Sequence, residues 1–249
     1  MCAETVIRSK WTAGVGDATT RPGLRLPISV FEGHLIVDFD GRKALVDTGC
    51  PVTLGRGELL SIGGRDFELH DNFHGITVKS VAEPVGYPFE ILVGMDVLGE
   101  FITSFSLRNA ELILNESIES EGEVLDLDIW FGVPTIPIVV GGVLHRVIFD
   151  TGAPTSYLSA KYVEEFEFVG TRKDFFPLKG SFESKIYRVP VNVGKKTRFF
   201  ELAAMKGALA SMLEPSDMPG ILGTELLSVA DVTLSMATQS MVVSWHEEP

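Results

Sequence analysis

Two carboxylate-bearing triplets, Asp47-Thr48-Gly49 and Asp150-Thr151-Gly152, each follow directly on an apolar run, Ala44-Leu45-Val46 and Val147-Ile148-Phe149. A strand apolar enough to be buried should not end on an isolated carboxylate, because desolvating an ion costs several kcal/mol. One such aspartate is explained by a turn. Two in matching surroundings imply carboxyls brought together for use. At residue abundances of about 5–7%, a given tripeptide is expected on the order of 0.05 times in a chain of this length. Two carboxyls held close cannot both ionise readily, so they share a proton. The ionised member of such a pair can serve as a general base while the protonated one polarises an acceptor.

The flanks of the triplets reveal an internal duplication. An offset of 103 lays Leu35-Ile36-Val37 on Ile138-Val139-Val140, Pro51 on Pro154 and Leu54 on Tyr157. Further along, an offset of 129 lays Leu92-Val93-Gly94-Met95-Asp96-Val97-Leu98 on Ile221-Leu222-Gly223-Thr224-Glu225-Leu226-Leu227. The second copy therefore carries an insertion between its two motifs. Two copies with a period near one hundred residues describe a duplicated unit, not a solenoid.

The elements that must position the triplets are short, β-branched or aromatic, and punctuated by Gly and Pro. Residues 35–39, 44–46, 136–140, 146–149, 187–193 and 240–245 read as strands. Pro137 and Pro190 place two of these at sheet edges or bulges. Asp40-Gly41 and Gly141-Gly142 suit hairpin turns. Helical signals are few: residues 159–166, and a short turn after each of Gly94 and Gly223. The fold class is all-β. Residues 1–25 match nothing in the second copy and read as an N-terminal extension. Residues 26–115 form the first unit, 116–124 an acidic linker and 125–249 the second unit.

Composition narrows the function classes. The chain has 249 residues, 45% hydrophobic, with a net charge of −13. Nucleic acid and anionic membranes would be repelled. Nowhere does an apolar run approach the ~20 residues needed to span a bilayer. Two cysteines, Cys2 and Cys50, give no disulfide framework and suit a reducing compartment. Met1 to Gly14 has no continuous apolar signal region. A cytoplasmic location is the expectation. His70 and His74 flank Asp71, but Asn72 and Gly75 argue for a loop without a third ligand, so no metal and no cofactor are expected. No Gly-x-Ser-x-Gly elbow, Cys-x-x-Cys or phosphate-binding glycine loop occurs.

These motifs resemble the aspartic proteases: retropepsin-like lobes fused in tandem, as in single-chain, pepsin-like bilobal enzymes. The resemblance covers nearly everything but residues 1–25 and the linker. It implies an all-β fold of two pseudo-symmetric lobes with a cleft between them, and a peptide or protein substrate hydrolysed by an activated water. By this resemblance Asp47 and Asp150 are the catalytic dyad. Thr48 and Thr151 hydrogen-bond across it, and Gly49 and Gly152 let the backbone approach the carboxyls. Gly94 and Gly223 support the loops from beneath. Residues Leu178, Lys179, Gly180, Ser181 and Phe182 resemble the tip of a flap, while the first unit has a shortened flap near residues 72–75 or none. With both aspartates on one chain, a catalytically complete monomer is expected.

Pepsin-like enzymes carry a hydroxyl residue after each triplet, where this chain has Cys50 and Ala153. Neither is a good donor, which implies a less acidic optimum, roughly pH 4–6.5. Cys50 reads as a small buried hydrophobe, with a redox role as the alternative. Tyr162, Phe166, Phe168, Phe175 and Phe176 read as core aromatics. The rival function is a non-catalytic peptide-binding or dimerisation module that keeps the fold; a binding module, however, needs no apposed carboxyls.

Overall fold

The computed structural model describes residues 10–12, 23–57, 59–115, 117, 119–177 and 179–247. Most of these lie in β-strands. In the N-terminal half, Ser29–Phe31, His34–Phe39, Arg42–Val46, Ile91–Val93 and Leu54–Gly55 lie side by side in that order. The C-terminal half repeats the order with Asp128–Trp130, Val133–Val140, Val143–Phe149, Gly220–Leu222 and Ser156–Ser159. Its sheet then continues through Lys196–Met205, Gly180–Val193 and Glu167–Phe176, which accommodate the insertion seen in the second copy. Registers repeat as well. Leu45 pairs with Leu92 and Val46 with Val93, both in parallel, just as Ile148 pairs with Ile221 and Phe149 with Leu222.

A six-stranded sheet joins the halves. Its order is Glu123–Asp126, Ser240–Trp245, Ala230–Ser235, Ile102–Ser106, Glu111–Asn115 and Leu24–Pro27. Each half contributes one hairpin, and the two meet where Ser104 lies opposite Thr233. These residues are 129 apart, so each is the other's counterpart in the duplication, and Thr233 Oγ1 donates to Ser104 Oγ at 2.9 Å.

Alternation along the strands builds the core. Leu35, Val37 and Phe39 point into the main cluster, which runs continuously through both halves, whereas Ile36 and Leu45 point into a second, smaller one. A strand with period-two side chains buries both faces only if both are covered. The cover on the second face is the helix Val78–Val85, through Val81 and Val85. Thr77 and Ser80 cap that helix reciprocally, and Gly86, in the left-handed region at φ 75°, closes it onto the Ala82 carbonyl.

Several expectations change. The helix Val78–Val85 and a second, Gly207–Leu213, were not foreseen. Within the stretch read as a solvated linker, Glu119–Glu121 pairs with Lys10–Thr12, and Glu123–Asp126 pairs with Ser240–Trp245. Acidic side chains are compatible with strands whose outer faces meet water. Pro137 and Pro190, expected at sheet edges or bulges, lie in paired strands at positions left without a partner on one side. Each sits in a gap: Asp128–Trp130 stops at Thr135 and Gly180–Val193 begins at Ile138, so Pro137 lacks a partner on that side. Residues 159–166 shrink to the single turn Ala160–Val163. Among the described residues no helix is long and apolar enough to cross a membrane.

Candidate active site

Each triplet sits where a strand leaves the pairing it shares with a second, parallel strand. The Asp47 N–H donates to the Val93 carbonyl and the Asp150 N–H to the Leu222 carbonyl, both at 3.0 Å. Gly94 and Gly223 lie directly behind. The Gly94 N–H donates to Thr53 Oγ1 at 2.9 Å, and the Gly223 N–H to Ser156 Oγ at 3.0 Å. A Cβ on Gly94 would stand 2.7 Å from the Cys50 carbonyl oxygen, and one on Gly223 only 2.2 Å from that of Ala153. Those carbonyls accept from the Met95 and Thr224 N–H groups at 2.8 and 3.0 Å. Any side chain at either glycine would push the triplet loop forward.

The two loops are tied by their threonines. Thr48 Oγ1 accepts from the Thr151 N–H at 2.9 Å and donates to the Phe149 carbonyl at 2.7 Å. Thr151 Oγ1 accepts from the Thr48 N–H at 3.0 Å and donates to the Val46 carbonyl at 2.8 Å. Both side chains are fully buried. Four hydrogen bonds thus cross between the halves directly beneath the aspartates.

The glycines of the triplets serve by lacking a side chain. Neither Gly49 nor Gly152 adopts left-handed backbone. A Cβ on Gly49 would lie 2.3 Å from the Asp150 carboxyl, and one on Gly152 2.4 Å from that of Asp47. Each glycine N–H instead donates to its own triplet's aspartate, at 2.9 Å for Gly49 and 2.8 Å for Gly152. The carboxyls of Asp47 and Asp150 thus lie side by side, each against the glycine of the opposite triplet. Burial, then the charge and hydrogen bond of Asp150, hold Asp47 well above the ordinary carboxylate range. Burial raises Asp150 too, opposed by the Gly152 N–H and the bond with Asp47. Both carboxyls are therefore harder to ionise than a free aspartate.

The half-buried aspartates floor a cavity of about 280 Å³. Its walls come from both halves: Phe73 and Ile76 from the first, Phe175, Phe176, Pro177 and Phe182 from the second. Phe73 and Ile76 flank a tight turn with His74 at φ 50° and Gly75 at φ 88°. The second-half wall is the long hairpin Glu167–Phe176 and Gly180–Val193, whose last pair is Phe176 with Gly180. The first strand ends at Phe176 and the second begins at Gly180, so Gly180, Ser181 and Phe182 of the flap tip read from the sequence lie in the second strand. Of the residues read as a flap tip, Phe182 lines the cavity above Asp47 and Asp150. Lys179 and Gly180 line a neighbouring cavity of about 190 Å³, and Ser181 a groove of about 580 Å³. Leu178 lies outside the described residues.

Other residues emerged only from the structure. Phe175 and Phe176, read as core, line the cavity, while Phe168 is 54% exposed. His34 is buried where the cavity meets the larger groove, and its Nδ1 has no hydrogen-bond partner. Burial holds the His34 ring below its ordinary value, opposed by the Asp174 charge and the Gly152 backbone. Tyr157 Oη donates to Asp174 Oδ2 at 2.5 Å. Cys50 turns its thiol to the Val52 carbonyl at 3.1 Å, and burial pushes that thiol up. A buried, protonated thiol bonded to a carbonyl of its own loop suits packing more than redox chemistry.

No family model matches the chain, and no curated protein does. Among solved structures, one similar chain is the protease of simian foamy virus (mac), determined in solution. It is 13% identical over 36% of this chain and 88% of its own, with a TM-score of 0.28. A likeness that slight carries no weight for fold or activity, so the reading of function rests on the geometry of the site.

Proposed function

We propose that the chain is an aspartic endopeptidase, in which Asp47 and Asp150 activate a water against a peptide bond. The observation that carries this reading is the pair of carboxyls, each seated against the other triplet's glycine on the floor of a cavity and held in register by the Thr48 and Thr151 bonds. A structural carboxylate gains nothing from a second one beside it. Burial makes the pair costly to ionise, so the cost has to be offset by other interactions in the fold.

In this mechanism the ionised carboxylate takes a proton from water as the water attacks the carbonyl carbon. The protonated carboxyl donates to the carbonyl oxygen; the proton taken from water then passes to the leaving nitrogen as the C–N bond breaks, and the proton on the former carbonyl oxygen returns to the pair as the product carboxyl forms. Gly49 and Gly152 N–H groups hold the carboxyls in orientation throughout. The cavity walls Phe73, Ile76, Phe176 and Phe182 would receive apolar side chains beside the scissile bond. The substrate is an extended peptide, which pairs its backbone with the strands bordering the cleft. Both carboxyls come from one chain, which makes the monomer the working unit. A strongly acidic chain whose Cys50 is a free, buried thiol fits work in a reducing compartment and away from nucleic acid.

A statine-type transition-state analogue tests the proposal. Calorimetric titration should give tight binding to the wild type and at least a hundredfold weaker binding to Asp47→Asn and Asp150→Asn. Equal binding by all three would mean that the carboxyls do not engage a tetrahedral centre, and would overturn the proposal.

A further inference from the structure

We infer that Tyr157 is a positioning residue that pins the distal end of the Glu167–Phe176 and Gly180–Val193 hairpin over the dyad cavity. The inference rests on the peptidase reading above.

Tyr157 grips both strands of that hairpin at one rung. Its hydroxyl donates to Asp174, and its ring lies 6.3 Å from the ring of Phe182. Asp174 and Phe182 are cross-strand partners. The rung stands just before the turn, so everything beyond it, including Phe175, Phe176 and Pro177 of the cavity wall, is held from this point. Asp174 is committed to the task, because its other oxygen accepts the Phe175 N–H at 2.7 Å. That bond fixes the chain direction where the first cavity-lining phenylalanine begins.

Tyr157 is itself immobile. It is 4% exposed and lies in the strand Ser156–Ser159, paired with Ile221 on one side and Ala203 on the other. It thus connects the hairpin to the strand Gly220–Leu222 that supports Asp150. The duplication supplies an internal control. The counterpart of Tyr157 in the first half is Leu54, which pairs with Leu92 as Tyr157 pairs with Ile221. Leu54 has no hydroxyl, and the first half has no long hairpin to hold. Hydroxyl and hairpin occur together in the one half that has both.

A cavity of about 280 Å³ is at the small end of ligand pockets, which run from roughly 300 to 1,000 Å³. The cavity opens at His34 onto the groove of about 580 Å³, and Asp174 and Phe175 of the hairpin border both. The Tyr157 rung therefore sets the balance between an open hairpin and one closed on substrate.

The test uses Tyr157→Phe and Asp174→Asn in the full chain, with two readouts. The first is amide hydrogen exchange, which needs no substrate. Tyr157→Phe should speed exchange across residues 174–182 by roughly ten- to a hundredfold, the loss expected for a hydrogen bond to a charged group, while the amides of Thr48 and Thr151 stay protected. Asp174→Asn keeps an acceptor and should show a smaller rise. The second readout is steady-state kinetics, where KM should rise in the same order with kcat less affected. Unchanged exchange at 174–182 in Tyr157→Phe would overturn the inference, and so would a uniform rise across the whole protein, which would mean a general loss of stability. Absence of hydrolysis by the wild type would count against the peptidase reading alone, and exchange would still decide the role of Tyr157.

Discussion

Replacing Thr48 by valine removes one oxygen and almost no volume, which isolates the cross-half hydrogen bonds from packing. Thr48 Oγ1 holds the Thr151 N–H at 2.9 Å and reaches the Phe149 carbonyl at 2.7 Å, and no part of the side chain meets solvent. In the variant that N–H and that carbonyl are both left buried and unpaired. Each costs about 1–3 kcal/mol, and the gain from burying a methyl in place of a hydroxyl offsets part of it, leaving a net loss of about 2–5 kcal/mol. For a chain of this size that corresponds to a fall in Tm of about 5–15 °C. Thr48→Ser keeps the oxygen and should lose far less. Thr197→Val, which removes an exposed bond to Asn192, should stay within about 0.5 kcal/mol of wild type. Thr151→Val should match Thr48→Val, because the bonding pattern is the same on both sides of the pseudo-twofold. The double variant should fall short of the sum of the two, since the residues share one network. Urea unfolding with a constant slope gives all five values. A loss below about 1 kcal/mol in Thr48→Val, or equal losses in Thr48→Val and Thr48→Ser, would refute the reasoning.

Three further outcomes are expected. Burial raises both aspartates above their ordinary value of 3.8, so the folded state binds more protons than the unfolded one in that interval. Stability from the dyad is therefore greatest below that value and is lost as pH rises through the raised folded values. Asp47→Asn should accordingly raise Tm near neutral pH, with the advantage shrinking as the medium is acidified; a variant less stable than wild type at neutral pH would contradict this. Gly152→Ala, whose Cβ would meet Asp47 at 2.4 Å, should abolish hydrolysis and analogue binding while far-UV circular dichroism stays native, and retained activity would show that the loop yields easily. Specific activity should stay constant on dilution from micromolar to nanomolar protein, whereas a steep loss would mean that the site forms between chains.

Much of the framework was legible because the duplication repeats motif and register together. The two offsets that align Leu45 with Ile148 and Leu92 with Ile221 in sequence also match their pairings, Leu45 with Leu92 and Ile148 with Ile221, in the sheet. The helix Val78–Val85 escaped notice because its valines favour strands and Pro84 argues against a helix. Tertiary packing onto Ile36 and Leu45 overrides both, although Thr77, Ser80 and Gly86 were a capping signal in plain view. Acidic residues 119–126 look solvated by composition, yet their backbone is satisfied by pairing with distant strands. His34 and Asp174 could not be read at all, because they meet near the dyad from positions far apart in the chain. For Tyr157 the signal was its alignment with Leu54, a hydroxyl present in only one copy.

Hydrolysis of a mixed peptide library by the wild type, Asp47→Asn and Asp150→Asn, followed across pH by mass spectrometry, tests the central claim most directly. The wild type should cleave between large apolar residues with a bell-shaped profile centred at roughly pH 4–6.5, its limbs belonging to the pair. Both asparagine variants should be inactive at every pH while remaining folded, because an amide can neither accept the proton nor share it. Cleavage by either variant, or none by the folded wild type at any pH, would contradict the account.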